Sequence, residues 1–355
     1  MKINPTLSSI VKQIREKSLE NREHTRKIVN WVEDHRLASG AGKALVLILP
    51  TRGCSWALSK SGGCSICGYI YDNPQEPDYD NIVSSFKEIL KQKIDESHKF
   101  SLKLFTSGSF LDLKEVPLDI QKQMMEEASK YKQIEELVLE SRPEYVTESV
   151  LDNIAEHIDI SKIEIAIGLE SANDTILKNS INKGFFWKDF TKAVTRIQNK
   201  GAKVKAYLLF KPPFISEYDS IKDILDSSSK IVELGVKTIS INAMSIHRGT
   251  FLTDLFDKQM YRTPWLWSLL HVCREIKHKY PEVRLICDVV AGGNERGAHN
   301  CGECDKEILA IIKQFTLEQD IDILNKPVNC SCKNDWKSFL FSETITISEL
   351  LDIYK

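Results

Sequence analysis

The sequence predicts an α/β fold: a partial, TIM-like (βα)6 barrel with an N-terminal helical cap and a small C-terminal cysteine-rich metal module. Three observations carry this. Between Lys43 and about Asp288, short apolar runs alternate with amphipathic stretches. Polar and glycine-rich segments recur just after each apolar run. Cysteines gather in two sets, Cys54, Cys64 and Cys67 inside the repeating region and Cys301, Cys304, Cys330 and Cys332 beyond it. Strand-length runs alternating with helix-length amphipathic stretches describe a parallel sheet covered by outer helices.

Residues 1–42 read as the cap. They are polar and helix-prone, with Ile10, Val11 and Ile14, then Ile28, Trp31 and Val32 at helical spacing, and Ser39-Gly-Ala-Gly closes the segment. Arg15, Arg22, Arg26 and Lys27 are interleaved with Glu16, Glu20 and Glu23, which describes a solvated helix face. Residues 43–288 form the barrel, with strands at 44–49, 102–105, 137–139, 163–167, 204–210 and 238–241 and helices at about 82–96, 118–131, 144–157, 186–200 and 217–235. From Val289 the texture changes to Ala-Gly-Gly-Asn-Glu-Arg-Gly, and residues 289–355 form the third unit, with a helix-sized insert between its two cysteine pairs.

In βα barrels, chemistry sits at the carboxyl ends of the strands. The residues there are Thr106-Ser-Gly-Ser-Phe, Glu140-Ser-Arg-Pro, Gly168-Leu-Glu-Ser, Lys211-Pro-Pro-Phe, and Asn242, Ser245 and His247-Arg-Gly-Thr. Singly each has a bland reading, since Gly108 can serve a turn and Glu140 can pair with Arg142. Their common address is the signal.

After the first strand comes a loop holding Cys54, Cys64 and Cys67 among Gly53, Gly62, Gly63 and Gly68. Three thiolates on a [4Fe–4S] cluster leave one iron open to an outside ligand, and glycines let backbone amides approach the sulfides. Cys64-x2-Cys67 alone also suits half of a zinc site or a redox dithiol. A zinc site needs a fourth ligand, and no His lies in the loop. Cys301-x2-Cys304 and Cys330-x-Cys332 give four soft ligands with no open position, which describes structural zinc. A second cluster is the alternative, and His299 is a candidate to replace one cysteine. Cys273 and Cys287 stand alone as buried thiols.

The chain has 355 residues, with 48 basic against 50 acidic, so no global field favours nucleic acid and any RNA contact is a local patch. The start lacks the apolar core of a signal peptide, and no apolar run approaches a membrane span. A cytoplasmic protein without a membrane partner is expected, and nine cysteines in that compartment point to metal rather than disulfides.

Together the three-cysteine loop, Ser107-Gly-Ser, Glu140-Ser-Arg-Pro and Gly168-Leu-Glu-Ser resemble the radical S-adenosylmethionine enzymes, in the branch with elongator-type and tRNA methylthiolation enzymes. Asn182-Lys-Gly and His247-Arg-Gly-Thr-Phe-Leu also look like that branch. The spacing here is C-x9-C-x2-C rather than the usual C-x3-C-x2-C, and Ile66 replaces a common aromatic. With Arg296-Gly-Ala-His-Asn-Cys-Gly-Glu-Cys-Asp, the chain is most similar to the archaeosine synthase radical-SAM subunits. That resemblance implies a radical-SAM barrel whose [4Fe–4S] cluster on Cys54, Cys64 and Cys67 binds S-adenosylmethionine at its open iron. It implies cofactor contacts at Ser107, Gly108, Ser109, Glu140, Arg142 and Glu170. No catalytic residue is assigned beyond the cluster. It also implies radical C–N cleavage of a lysine adduct on 7-deazaguanine in tRNA, a partner synthase subunit and an electron donor. Lys211, Asn242, His247 and Arg248 are the candidates to hold the lysine part, and the N-terminal helix and Trp31 are possible RNA contacts. The alternatives are another RNA modification, methylthiolation or elongator-like, and a non-enzymatic metal-bearing scaffold.

Overall fold

In the computed structural model, which describes residues 6–19 and 27–344, eight strands form one sheet in sequence order. They are β1 (Val29–Leu37), β2 (Gly40–Ile48), β3 (Phe100–Phe105), β4 (Ile134–Ser141), β5 (Ile163–Glu170), β6 (Lys203–Phe210), β7 (Thr238–Ala243) and β8 (Arg284–Asp288). β1 and β2 are an antiparallel hairpin, and every later neighbour is parallel. Helices Tyr79–Lys93, Leu118–Ser129, Glu148–His157, Trp187–Asn199 and Glu217–Glu233 cross over between strands. Their apolar stripes, for example Phe86 and Leu90, or Phe190, Val194 and Ile197, are buried against the outward faces of the strands. The six expected strands and five expected helices are all present.

Two strands extend the six. Residues 29–37 were expected to be helical from the spacing of Ile28, Trp31 and Val32, and they form β1 instead. The pairing with β2 decides it: Leu37 opposes Gly40 across a two-residue turn, and alternation puts Trp31, Glu33, His35 and Leu37 on one face. Gly42 has to be glycine, because a Cβ there would stand 2.4 Å from Leu37 Cδ1 and 2.8 Å from the Lys99 carbonyl oxygen. β8 is short, and its outer edge does not meet β1. Gln319 covers that edge with its side-chain amide, accepting from Leu285 N at 2.9 Å and donating to Leu285 O at 2.7 Å. The Thr316 hydroxyl accepts from Cys287 N at 3.3 Å. Arg22 and Arg26 lie outside the described residues.

The sheet register sorts the inward face. A closed TIM barrel fills this space with branched apolar side chains. Here the inward positions include Glu33, His35, Ser101, Lys103, Glu136, Glu140, Glu164, Lys205, Tyr207, Thr238, Ser240, Asn242, Arg284 and Asp288. At the floor, Arg284 binds Glu136 at 2.7 Å and Glu164 at 2.6 Å, and Lys205 binds Glu164 at 3.0 Å. Arg284 also donates to the Arg36 carbonyl at 3.3 Å, so β8 touches β1 at the bottom of the open seam. Despite its burial, Glu164 is held down to about 2 by Lys205 and Arg284. His35 is pushed down to about 2 by burial and then by Lys103, Lys205 and Arg284. Among the described residues no helix is long and apolar enough to cross a membrane.

Candidate radical-generating site

The loop from β2 to the short 3-10 turn Tyr69–Asp72 carries Cys54, Cys64 and Cys67, all partly buried. Two positive-φ glycines bring it close to its neighbours. Gly62, at φ +73°, leaves no room for a Cβ, which would lie 2.6 Å from Lys12 Cα. Gly63, at φ +86°, sits against Ala57, where a Cβ would stand 2.7 Å from its Cα. Helix Leu7–Leu19 therefore rests directly on the loop.

Arg15 fastens that contact. It is only 3% exposed, donating from Nε to Gly62 O at 2.9 Å and from Nη2 to Cys67 O at 2.7 Å and Cys64 O at 3.4 Å. Its guanidinium lies 4.9 Å over the Tyr71 ring. The solvated-face reading fails here, because Arg15 follows buried Val11 by one helical turn. Its partners are carbonyl oxygens, which any sequence supplies.

The strand ends close round the loop. After β3, Gly108 packs so tightly that a Cβ would lie 2.5 Å from Cys54 Cα. Ser107 donates to Asn73 Oδ1 and, at 3.2 Å, to Tyr69 O. The Ser109 amide donates to Glu115 Oε2 at 2.7 Å, and its hydroxyl accepts from Arg142 N at 3.0 Å. Glu115, which also accepts from the Thr51 hydroxyl at 2.9 Å, is pushed up to about 7 by burial, against those donors.

After β4, Arg142 is buried over the Trp56 and Phe185 rings at 5.3 and 5.1 Å and donates from Nε to Glu144 at 2.6 Å. Its Nη2 is buried without a hydrogen-bond partner. Burial works against its charge, yet Glu144, Cys64 and Cys54 hold its pKa above the ordinary arginine value. Burial pushes Cys54 up to about 12, opposed first by Arg142. Glu140 is pushed up to about 7 by burial, against its bond with Tyr207 and the charge of Lys205.

After β5, a bulge between Gly168 and Glu170 turns Glu170 to φ +71°, where Lys183 binds it at 2.8 Å. Lys183 is buried and, with Arg142, sets a second positive charge in reach of Cys64. Trp56 Nε1 donates to Asn182 O at 2.9 Å, which ties the Asn182-Lys-Gly segment to the cysteine loop. The motif was visible in sequence; the Lys183–Glu170 pair beside the cysteines was not.

The radical SAM superfamily model matches residues 48–227, half of the chain and the part that builds this loop and the strand ends around it. The chain belongs to the radical SAM superfamily. This radical SAM enzyme is 34% identical to the archaeosine synthase subunit beta of Methanosarcina acetivorans over 346 residues, covering 98% of each chain. It is 37% identical to the archaeosine synthase subunit beta of Thermococcus kodakarensis, over 86% of this chain and 94% of that one. Among solved structures, the archaeal Elp3 of Methanocaldococcus infernus, with its N-terminus deleted, superposes with a TM-score of 0.50 at 15% identity, covering 68% of this chain and 59% of that one. That likeness is one of fold.

The superfamily implies a [4Fe–4S] cluster and S-adenosylmethionine, and the loop fits them. Its donor set is three soft thiolates. Among the described residues, only the C-terminal cysteines bring three or more ligand atoms within 4.8 Å of one another. The three loop thiols are thus not all within 4.8 Å of one another, unlike a set closed round a single ion. Arg142 and Lys183 supply positive charge beside an anionic cluster, and Arg142 Nη2 keeps free donors there.

The four residues expected at the mouth are not brought together equally. Lys211 is buried at φ +61° in an ion pair with Glu217 at 2.8 Å, and the Tyr261 hydroxyl donates to its carbonyl at 2.5 Å. His247 meets the Tyr69 ring at 5.0 Å and Ser245 Oγ at 3.1 Å, alongside the cysteine loop. Arg248 is exposed and pairs with Asp72 at 3.1 Å. Asn242 lies on the inward face of β7, in register with Asp288 of β8.

The second cysteine set closes on itself. Sγ distances are 3.5 Å for Cys301 and Cys330, 3.6 Å for Cys304 and Cys332, and 3.3 Å for Cys330 and Cys332. A tetrahedral ion with metal–sulfur bonds of about 2.3 Å sets its sulfurs about 3.8 Å apart, so the four fit one ion; a four-iron cluster would spread them. His299 is not in the set and has Nδ1 3.0 Å from Gly297 O and 3.1 Å from the Thr263 hydroxyl. Trp267 donates to Cys332 Sγ at 3.3 Å and Asn300 to Cys304 Sγ at 3.2 Å, as outer partners of thiolate ligands do.

Proposed function

We propose that this protein is the radical-SAM subunit of an archaeosine synthase. It converts a lysine adduct of 7-deazaguanine in tRNA to archaeosine by radical C–N cleavage, with a partner subunit that first attaches the lysine and an electron donor that reduces the cluster. The observation that carries this reading is the likeness to a relative of that name across 98% of both chains, which takes in the C-terminal cysteine module as well as the barrel.

When bound, the cluster and S-adenosylmethionine would supply a 5′-deoxyadenosyl radical for removing a hydrogen atom from the lysine part; loss of one further electron from that carbon and cleavage of its C–N bond would release the lysine part in oxidised form and leave a formamidine on the base. The chain's own residues prepare that step. Cys54, Cys64 and Cys67 hold the cluster, with Arg142 and Lys183 balancing its charge. The backbone at Ser107, Gly108 and Ser109 would meet the methionine amino group, and Glu140, Arg142 and Glu170 would border the cofactor's ribose and carboxylate. His247, Arg248 and Asn242 face the incoming nucleotide. Lys211 contributes as the buried post of its strand end, since Glu217 already neutralises it. Cys301, Cys304, Cys330 and Cys332 hold a structural zinc ion.

The test is anaerobic. Reconstituted, reduced protein is given S-adenosylmethionine, and 5′-deoxyadenosine is followed with and without tRNA carrying the lysine-modified deazaguanine, with Cys67→Ala as control. Release that depends on Cys67 and rises with that tRNA, accompanied by archaeosine, is the expected result. Release indifferent to the tRNA would overturn the substrate and keep the chemistry.

A further inference from the structure

Beside the closed ion-pair floor of the barrel, toward the seam between β1 and β8, the inward face carries charges that the floor does not use. Lys103 of β3 is 8% exposed, and among the described residues its ammonium has one ion-pair partner, Glu33 of β1 at 3.4 Å. That is longer than every floor pair, which run from 2.6 to 3.0 Å. Glu33 is itself steadied by the Trp31 indole, which donates to Oε2 at 3.0 Å. Asp288, at the end of β8, lies on the inward face in register with Asn242, where burial raises its pKa and Lys103, Glu33 and Lys205 are all in electrostatic reach. Three charged side chains of the inward face thus lie on β1, β3 and β8, on either side of the seam between the first and last strands.

The other titratable groups facing this space are accounted for. Lys205 and Arg284 are committed to Glu164 and Glu136, His35 is held neutral, and Glu140 is bonded to Tyr207. What is left is one ammonium with a distant partner and two carboxylates beside it, arranged around the seam between β1 and β8. A group with a carboxylate and an ammonium on one carbon complements this set, while a simple cation or anion satisfies only part of it.

The depth also fits. Lys103 is in register with Val138, two residues below Glu140 on β4, which places it about 7 Å further in than the cofactor-bordering layer. The four bonds from the reacting carbon of a lysine side chain to its α-carbon span about 5 Å when extended.

We infer that this seam pocket holds the α-amino-acid end of the lysine adduct, with Lys103 binding the α-carboxylate and Glu33 and Asp288 the α-ammonium. The assignment rests on the function proposed above and adds the residues that select the substrate.

The test compares RNA adducts of L-lysine and of cadaverine, which lacks the carboxylate, in single-turnover cleavage by wild type, Lys103→Met and Lys103→Gln, with folding checked by circular dichroism. Wild type is expected to favour the lysine adduct at least 10-fold in KM, and both variants to lose that preference. A parallel measurement needs no turnover: ligand-observed NMR with free L-lysine and cadaverine, where wild type binds lysine more tightly and the variants do not. Wild-type cleavage without preference, or a preference that survives both substitutions, overturns the inference. If wild type cleaves neither adduct, the functional reading falls, and the NMR comparison still decides whether the pocket takes an amino acid.

Discussion

Replacing Gly108 by alanine tests how closely the strand end after β3 and the cysteine loop are fitted. The new Cβ would lie 2.3 Å from Glu115 Oε2, 2.5 Å from Cys54 Cα and 2.8 Å from Cys54 Cβ, about 1 Å short of ordinary carbon contact. Glu115 cannot yield freely, because one oxygen is bonded to the Thr51 hydroxyl at 2.9 Å and the other to the Ser109 amide at 2.7 Å. The loop must therefore move off Cys54. Such overpacking costs about 1–3 kcal/mol, roughly 1–4 °C in Tm for a chain of this size. The larger effect falls on the cluster, because metal–ligand distances tolerate only about 0.2 Å and the thiolate is displaced several times that. The assay is iron and sulfide per chain after anaerobic reconstitution, with cluster absorbance and thermal unfolding. Gly201→Ala is the control: it strains a φ of +87° but meets nothing nearer than 3.9 Å, so it should lose similar stability and keep its iron. Full iron content and unchanged Tm in Gly108→Ala would refute the reasoning.

Arg15→Ala strips the donors from three loop carbonyls. It should lower iron content after reconstitution by at least half and cost about 2–3 kcal/mol, read by iron analysis and denaturant unfolding, with Arg15→Lys intermediate. His35 should shape the acid limb of stability. Its folded pKa of about 2 lies below the ordinary 6.5, so the unfolded chain binds the extra proton, and stability present above pH 6.5 falls by up to about 1.4 kcal/mol per pH unit below it. His35→Gln should flatten that fall between pH 6.5 and 5 in urea titrations of the apo protein, and an unchanged slope would count against a neutral buried His35. In protein lacking the loop thiols, Cys54→Ala/Cys64→Ala/Cys67→Ala, elemental analysis should find about one zinc per chain and no iron; adding Cys304→Ser should remove the zinc and lower Tm.

The barrel was readable because its strands are buried on their outer faces by helices, which forces apolar runs such as 204–210. β1 escaped because its inward face lines a polar lumen with Glu33 and His35, leaving Ile28, Trp31 and Val32 as the apolar signal, and their spacing also satisfies a helix. Leu102-Lys103-Leu104 reads as an ordinary half-exposed alternation, and only the register reveals that Lys103 points into the barrel rather than to bulk water. The cysteines were legible because soft-ligand chemistry is written in residue type. Arg15 was not, since its partners are backbone oxygens that only folding brings to it. Lys183 showed as part of a motif, and its link to Glu170 depends on a bulge that no local signal announces.

Helix Asp305–Glu318 packs on both β8 and β1, the last and first strands of the sheet, and the two cysteine pairs pinch the chain at its two sides. An ordinary barrel closes by zipping its end strands together. In this chain the closure is a clasp: a helix laid across the gap and buckled by four sulfurs remote from the radical chemistry. Unbuckling it would leave every ladder hydrogen bond intact and still free the helix that spans the seam, so four cysteines outside the sheet hold its first and last strands in place.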